Sequence, residues 1–286
     1  MKLIYAEVLT QTIQKRPEHS HKGSYGQVVI IGGNKQYGGA IQLCSAATVY
    51  SGAGLTTTVT DVQNHAAVHA MVPETMVLDW NDTKAVTNQL KKATVIVIGP
   101  GLGLEQGAFS LLSFVLEHLQ TKQICIIDGS AITLYAEHKE HLPPHPTQNL
   151  IFTPHEMEWQ RLSGITIAEQ TPEKNRQAQQ QLGAQIVLKK HRTEIYTAKQ
   201  TWKNPLGTPA MATGGMGDTL AGMIAGFYAQ FPHHTQTLLA AVYLHSFIAE
   251  KIAQTHYVVL PSTLIKEIPL AMKLFESFQE TRTSLH

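Results

Sequence analysis

Seven short apolar runs constrain this chain more than any other feature: Val28–Ile31, Leu55–Thr60, Met76–Leu78, Val95–Ile98, Ile124–Ile127, Leu150–Phe152 and Ile186–Leu188. Most stop against Gly, Asp or Thr, and most are separated by stretches with room for a helix. Runs of strand length alternating with helix-length segments predict βαβ units that build a largely parallel sheet with helices on both faces. Thr193–Asn204 (TEIYTAKQTWKN) departs from this rhythm. Its two β-prone pieces around a polar turn predict a hairpin, and helical patterns dominate after it. Neither an internal repeat nor a linker divides the sequence. The expectation is an α/β chain forming a single domain over 1–286, with 1–20 and 279–286 less ordered.

A chain of 286 residues is long enough to bury roughly three quarters of its unfolded surface without a disulfide or metal staple. Lys and Arg number 22 against 21 Asp and Glu, so no basic excess exists to release counterions from nucleic acid or an anionic membrane. Cys44 and Cys125 sit in the apolar contexts QLCSA and QICII, which predicts buried free thiols in a reducing, cytoplasmic setting. The N-terminal MKLIYAEVLTQT lacks the long apolar core of a signal peptide, and no run approaches the ~18 apolar residues of a membrane span. His138–Gln148 carries three histidines and three prolines. Without a carboxylate or Cys at ligand-like spacing it reads as a proline-stiffened loop rather than a metal site.

The strongest local signal lies in Asn204–Gln230, where Thr213–Asp218 (TGGMGD) precedes a helical pattern. Gly214, Gly215 and Gly217 allow positive φ and close approach to a ligand. A glycine loop opening a helix presents unpaired N–H groups and a positive dipole end, which together bind anions. Asp218 stands out there, because a carboxylate is repelled by phosphate. Two tasks explain it: capping the helix, or taking a proton from a hydroxyl that approaches phosphorus. A Walker-type loop is excluded, since no Lys-Ser or Lys-Thr comes after the glycines.

Other strand exits are also rich in glycine. Val95–Ile98 runs into Gly99-Pro-Gly-Leu-Gly103, Val28–Ile31 runs into Gly32-Gly33, and Gly38-Gly39-Ala40 opens a helix of small residues. Ligands of open parallel sheets sit beyond the carboxyl ends of the strands, so these exits point to one crevice. Thr153 and Glu156 have capping-box spacing, with Pro154 suited to the first helical position. That leaves His155 in the first turn, where a neutral imidazole can donate to a substrate. Lys189 and Lys190 close the strand Ile186–Leu188, as phosphate partners or as a solvated pair. His21-Lys22-Gly23 precedes the first long strand as a candidate basic flap.

Taken together, SHKGSYGQVVIIGG (20–33), SGAGL (51–55), VIGPGLG (97–103), IDGSAI (127–132), TPHEME (153–158), VLKKHRT (187–193) and NPLGTPAMATGGMGDTLAG (204–222) resemble the nucleotide-dependent NAD(P)H-hydrate dehydratases of the ribokinase-like superfamily. The pieces keep family order across nearly the whole chain. The resemblance implies a three-layer α/β/α sandwich and a repair reaction: the S-epimer of hydrated NADH or NADPH is dehydrated at the expense of ADP or ATP, with Mg²⁺. The ring hydroxyl is phosphorylated, and phosphate then leaves as the ring nitrogen pushes electrons outward.

Carried over by position, Asp218 is the base and a substrate contact. Ala40, Gly103 and His155 line the hydrate pocket. Gly214, Gly215 and Gly217 hold the transferring phosphate, and Lys189, Lys190, His191, Arg192 and Thr193 border the nucleotide. The resemblance also implies a cytoplasmic homo-oligomer, a tetramer by preference, for which the small-residue helix 40–54 offers an interface. This sequence departs from the family pattern at Met216, where a small residue is usual. It departs again at Lys190-His191-Arg192, where a glycine-rich tripeptide usually comes after the lysine, so ADP and ATP both stay open. Two other readings share the glycine loop. One is a small-molecule kinase of the hydroxymethylpyrimidine or hydroxyethylthiazole type, which leaves phosphate on its product. The other is a non-catalytic nucleotide sensor, in which Asp218 has no task.

Overall fold

The computed structural model describes the backbone of residues 1–283 and the side chains of residues 1–276. All seven apolar runs form strands of one sheet: β2 (Gln27–Ile31), β3 (Leu55–Thr60), β4 (Met76–Asp79), β5 (Val95–Ile98), β6 (Ile124–Ile127), β7 (Leu150–Phe152) and β8 (Gln185–Leu188). They pair in parallel. The hairpin comes next as β9 (Glu194–Tyr196) and β10 (Thr201–Lys203), with β9 antiparallel to both β10 and β8. A two-residue strand, β1 (Lys2–Leu3), closes that edge in parallel with β10. The spatial order is β1-β10-β9-β8-β7-β6-β5-β2-β3-β4.

Alternation along the strands sends side chains to two helical layers. Val28, Ile30, Val95, Val97, Ile124 and Ile126 face one core. That core is covered by α1 (Glu7–Thr12), α2 (Gly38–Tyr50), α3 (His65–Met71), α9 (Met216–Gln230), α10 (Thr235–Ala253) and α11 (Pro261–Thr283). Val29, Ile31, Ile96, Ile98, Cys125 and Ile127 face the other. There the cover is α4 (Thr83–Leu90), α5 (Gln106–Glu117), α6 (Ser130–Glu137), α7 (Glu156–Ser163) and α8 (Pro172–Leu182). Both cysteines are free and buried, and burial pushes the Cys125 thiol up to about 12. Among the described residues no helix is long and apolar enough to cross a membrane.

Three local expectations need correction. The start of the chain is packed: β1, α1 and the residues flanking them carry Ile4, Val8, Leu9 and Ile13 into the core, and 14–20 is the longest stretch without helix or strand in the segment expected to be loose. So short a strand and helix gain stability from tertiary burial rather than from local propensity, which hides them in sequence. The tail 279–286 lies outside the residues described with side chains. Helix α2 does not offer its small residues as an outer interface. They let α9 approach closely: a Cβ on Gly222 or Gly226 would overlap the Cys44 carbonyl oxygen or the Ser51 Cβ, and Thr48 Oγ1 donates to the Gly222 carbonyl at 3.1 Å. The turn at His21-Lys22-Gly23 packs against Gly54 at the amino end of β2 and β3, across the sheet from the glycine exits.

Candidate active site

Strand order reverses between β2 and β5, because the chain runs outward through β3 and β4 and then returns to the other side of β2. Ligands bind at such a switch point. Here the exits of both strands are laced together by backbone bonds: Gly33 N–H donates to the Pro100 carbonyl at 2.8 Å, and Asn34 N–H to the Gly101 carbonyl at 2.7 Å. A Cβ on Gly32 would overlap the Pro100 carbonyl oxygen, and one on Gly101 the Tyr37 carbonyl oxygen. The Cβ of Ala40, in the first turn of α2, lies 3.1 Å from the Cβ position of Gly101. Gly103 is pinned under Asn34 and Glu105 and donates to Ser130 Oγ at 3.3 Å.

The second glycine loop starts α9 above the sheet. Gly215, at φ 94°, occupies the N-cap and meets Leu43 and Pro261. Of the three glycines it alone has the left-handed backbone; Gly214 faces open space, and Gly217 leaves room for Lys189 Nζ, 3.0 Å from its Cβ position. Asp218 lies in the first turn, and the N-cap glycine brings no side chain to cap the helix. The Asp218 carboxylate accepts from its own backbone N–H, one of the first-turn donors, so capping accounts for part of its place here.

Asp218 belongs to a charge cluster drawn from three strand ends. Asp128, 2% exposed after β6, accepts from Thr153 Oγ1 at 2.6 Å and from Lys189 Nζ at 2.9 Å. Burial, together with the Asp128 charge, pushes the Asp218 carboxyl up to about 6, while Lys189 opposes the rise. Burial acts to lower the Lys189 ammonium, yet Asp128 and Glu158 hold it raised. The cluster thus supplies a fixed cation beside a carboxylate that titrates within the physiological range, the combination a proton acceptor needs.

His155 is the N-cap of α7, two residues later than the expected capping box. Its Nδ1 accepts from the amides of Met157 (3.1 Å) and Glu158 (3.3 Å), while Glu158 Oε2 accepts from the His155 amide at 2.7 Å. Thr153 is drawn away to Asp128, and Lys189 N–H binds the Pro154 carbonyl at 2.7 Å, which keeps 153–155 extended. With Nδ1 accepting, the neutral ring carries its proton on Nε2, 3.4 Å from Glu158 Oε1. Burial and then Lys189 hold the His155 pKa down, and burial pushes Glu158 up to about 7.

A cavity of about 520 Å³ opens between β8, the start of α9 and α10. Lys189–Thr193, Gly207, Met216, Gly217 and His245 line it, so five expected nucleotide residues and one glycine meet there. Gly214 and Gly215 are off its wall. Arg192 has φ 65°, a left-handed backbone that glycine adopts without strain. Its guanidinium donates to the Gly207 carbonyl at 3.1 Å and stands 3.7 Å from Glu250, which accepts the Gly207 amide at 2.8 Å. Lys190 stands 3.8 Å from Glu194. Ala40, Gly103 and His155 are not gathered on the wall of this cavity; they sit along the neighbouring strand ends.

Sequence reasoning passed over Glu158 and His245. Glu158 was hidden by the earlier capping box, although its position three after His155 is itself a capping spacing. His245 lies mid-helix in an apolar pattern and gives no local signal. It is 4% exposed, burial holds its pKa down near 4, and its Nε2 lacks a hydrogen-bond partner on the cavity wall.

The sheet order, the glycine-opened helix and the acid beneath it define a ribokinase-like α/β protein. A solved ribokinase-like superfamily protein from Enterococcus faecalis V583 superposes with a TM-score of 0.93 at 48% identity, covering 96% of both chains. The ADP/ATP-dependent NAD(P)H-hydrate dehydratase of Bacillus subtilis, co-crystallized with ATP/Mg²⁺, gives 0.85 at 29% identity over 96% of this chain and 99% of its own. The ADP-dependent (S)-NAD(P)H-hydrate dehydratase of Lactiplantibacillus plantarum is 51% identical over 98% of this chain and 99% of its length. A family profile for NAD(P)H-hydrate dehydratase matches residues 28–270. The chain belongs to the NAD(P)H-hydrate dehydratase family.

Proposed function

We propose that this chain is a hydro-lyase that returns the S-epimer of hydrated NADH or NADPH to NADH or NADPH, coupled to conversion of ADP to AMP and phosphate. The observation that carries this reading is the half-buried Asp218, raised to about 6, in the first turn of a helix and beside the basic cavity. ADP is the nucleotide named for the Lactiplantibacillus plantarum relative; ATP, giving ADP, is the second choice.

Asp218 takes the proton of the ring hydroxyl as its oxygen attacks the terminal phosphorus, and the bridging oxygen leaves with AMP. The N–H groups of Gly217 and of the Gly214–Gly215 turn, with Lys189, stabilise charge on the transferring group. The carbon–oxygen bond then breaks, phosphate departs with the electron pair, and the ring nitrogen's lone pair forms an iminium. Loss of a proton from the adjacent ring carbon restores the dihydropyridine. Ala40, Gly103 and His155 position the hydrate, and Lys190, His191, Arg192 and Thr193 border the nucleotide. No group of three metal-ligating side chains exists among the described residues. Mg²⁺, bound with the nucleotide, would be held mainly by phosphate oxygens and water, with Asp218 as the nearby carboxylate, and would supply charge neutralisation.

The unit acts as a single domain over 1–286 in the cytoplasm, where Cys44 and Cys125 stay reduced. Its homotetramer uses a face other than α2. The test is recovery of the near-ultraviolet dihydropyridine absorbance from hydrated NADH on addition of ADP, with one phosphate released per NADH. A stable phosphorylated nicotinamide product would replace this reading with the kinase one.

A further inference from the structure

A second cavity, of about 730 Å³, opens beyond the carboxyl ends of β3, β4 and β5, on the other side of the strand reversal from Asp218. Nothing in the proposed chemistry uses it. Resting on the hydrated-dinucleotide reading above, we infer that this cavity binds the adenosine half of the substrate while the hydrated nicotinamide half faces Asp218.

Four observations support that occupant. The cavity borders the hydrate side, because Asn34 and Glu105, which line it, are the side chains that lie against Gly103. Its floor is apolar and includes the rings of Trp80 and Phe114, with Leu111 beside them. Such rings suit a purine, since every base has a π-face for an aromatic side chain. Acceptors for ribose hydroxyls stand in its lining: Asp61, fixed by accepting the Gln63 amide at 2.9 Å through Oδ1, and the exposed Glu105. Lys35, exposed at the same rim, provides a cation for the pyrophosphate.

The placement also has a geometric reason. Dinucleotides lie across the crevice where strand order reverses, one half on each side. Here β6, β7 and β8 carry Asp128, His155 and Lys189 on one side, and β3 and β4 lead into Asp61 and Trp80 on the other. From β6 to β3 is three strand spacings, roughly 14 Å, a span that suits an extended dinucleotide and is too long for a mononucleoside. The volume falls within the usual range for small-molecule sites.

The test compares two substrates at saturating ADP: hydrated NADH, and the hydrated reduced nicotinamide mononucleotide that lacks the adenosine half. The wild-type protein should prefer the full dinucleotide in kcat/KM. Trp80→Ala should remove about tenfold of that preference, the equivalent of one lost base stack. Gly107→Phe is the second variant. A Cβ there meets nothing within 4 Å, and the residue belongs to the cavity wall on α5, so the new side chain fills the space without disturbing packing and should remove the preference as well. Misfolding lowers both substrates together and leaves the ratio intact. A ratio unchanged in both variants, with turnover of the mononucleotide kept at the wild-type level, overturns the assignment. If the ratio is unchanged while Gly107→Phe weakens self-association, the cavity belongs to a second copy of the chain. Absence of turnover on either substrate in the wild type instead sinks the dehydratase reading.

Discussion

Two glycine-rich regions face the same end of the sheet, and they use glycine for opposite purposes. At the exits of β2 and β5 the glycines admit backbone against backbone, and the amides of Gly33 and Asn34 are already spent on the carbonyls of Pro100 and Gly101. At the start of α9 the glycines instead leave space open: Gly214 has nothing within 4 Å of its Cβ position, and Gly217 meets only the flexible end of Lys189. The first region is a wall and the second a socket. A glycine count alone does not separate them. The difference lies in what fills the space a side chain would take: backbone in the first region, open space or the end of Lys189 in the second.

The largest effect should come from the socket. Asp218→Asn is expected to cut turnover by ~10²–10⁴, the usual range for a general base, with nucleotide affinity retained in a calorimetric titration. Near-normal turnover would remove Asp218 from the chemistry. In the wall, Gly32→Ala should cost about 3 kcal/mol of stability, because its Cβ overlaps a backbone carbonyl that cannot swing away. Denaturant unfolding measures this, and a change below ~1 kcal/mol would mean that the two exits are not held as tightly as their lacing implies.

A smaller effect concerns pH. The reactive form of Asp218 is the carboxylate and its pKa is about 6, so kcat/KM should be level above that value and fall as pH drops through it. Because the Asp128 charge raises the Asp218 pKa, Asp128→Asn should move the falling limb to lower pH. A limb that stays in place, or moves up, would break the link between the two carboxyls. The smallest effect is expected at Gly214→Ala: its backbone is not left-handed and its surroundings are open, so stability should change by less than ~0.5 kcal/mol. Any loss should appear in the KM for ADP, which sharpens the contrast with Gly32.

Several features were legible in the sequence for simple physical reasons. A strand buried on both faces must be a continuous apolar run, so β2 to β8 could be read to within a residue or so. A helix opened by glycines needs no tertiary partner to be recognised, so α9 and its acid were visible together. Lys189 through Thr193 fell on the cavity wall because the end of a parallel strand delivers the next few residues to the crevice.

The sequence by itself could not say which of two tasks Asp218 performs; it determined only that an acid sits in a glycine loop. The tertiary structure buried that acid, placed Asp128 and Lys189 beside it, and thereby set its affinity for a proton. It also moved the helix start from Thr153 to His155, since Asp128 competes for the Thr153 hydroxyl. Residues brought from positions 128, 155, 189, 218 and 245 act on one another through burial and charge. Neither burial nor charge separation in space has any local signature in the chain, and both exist only once the strand ends converge.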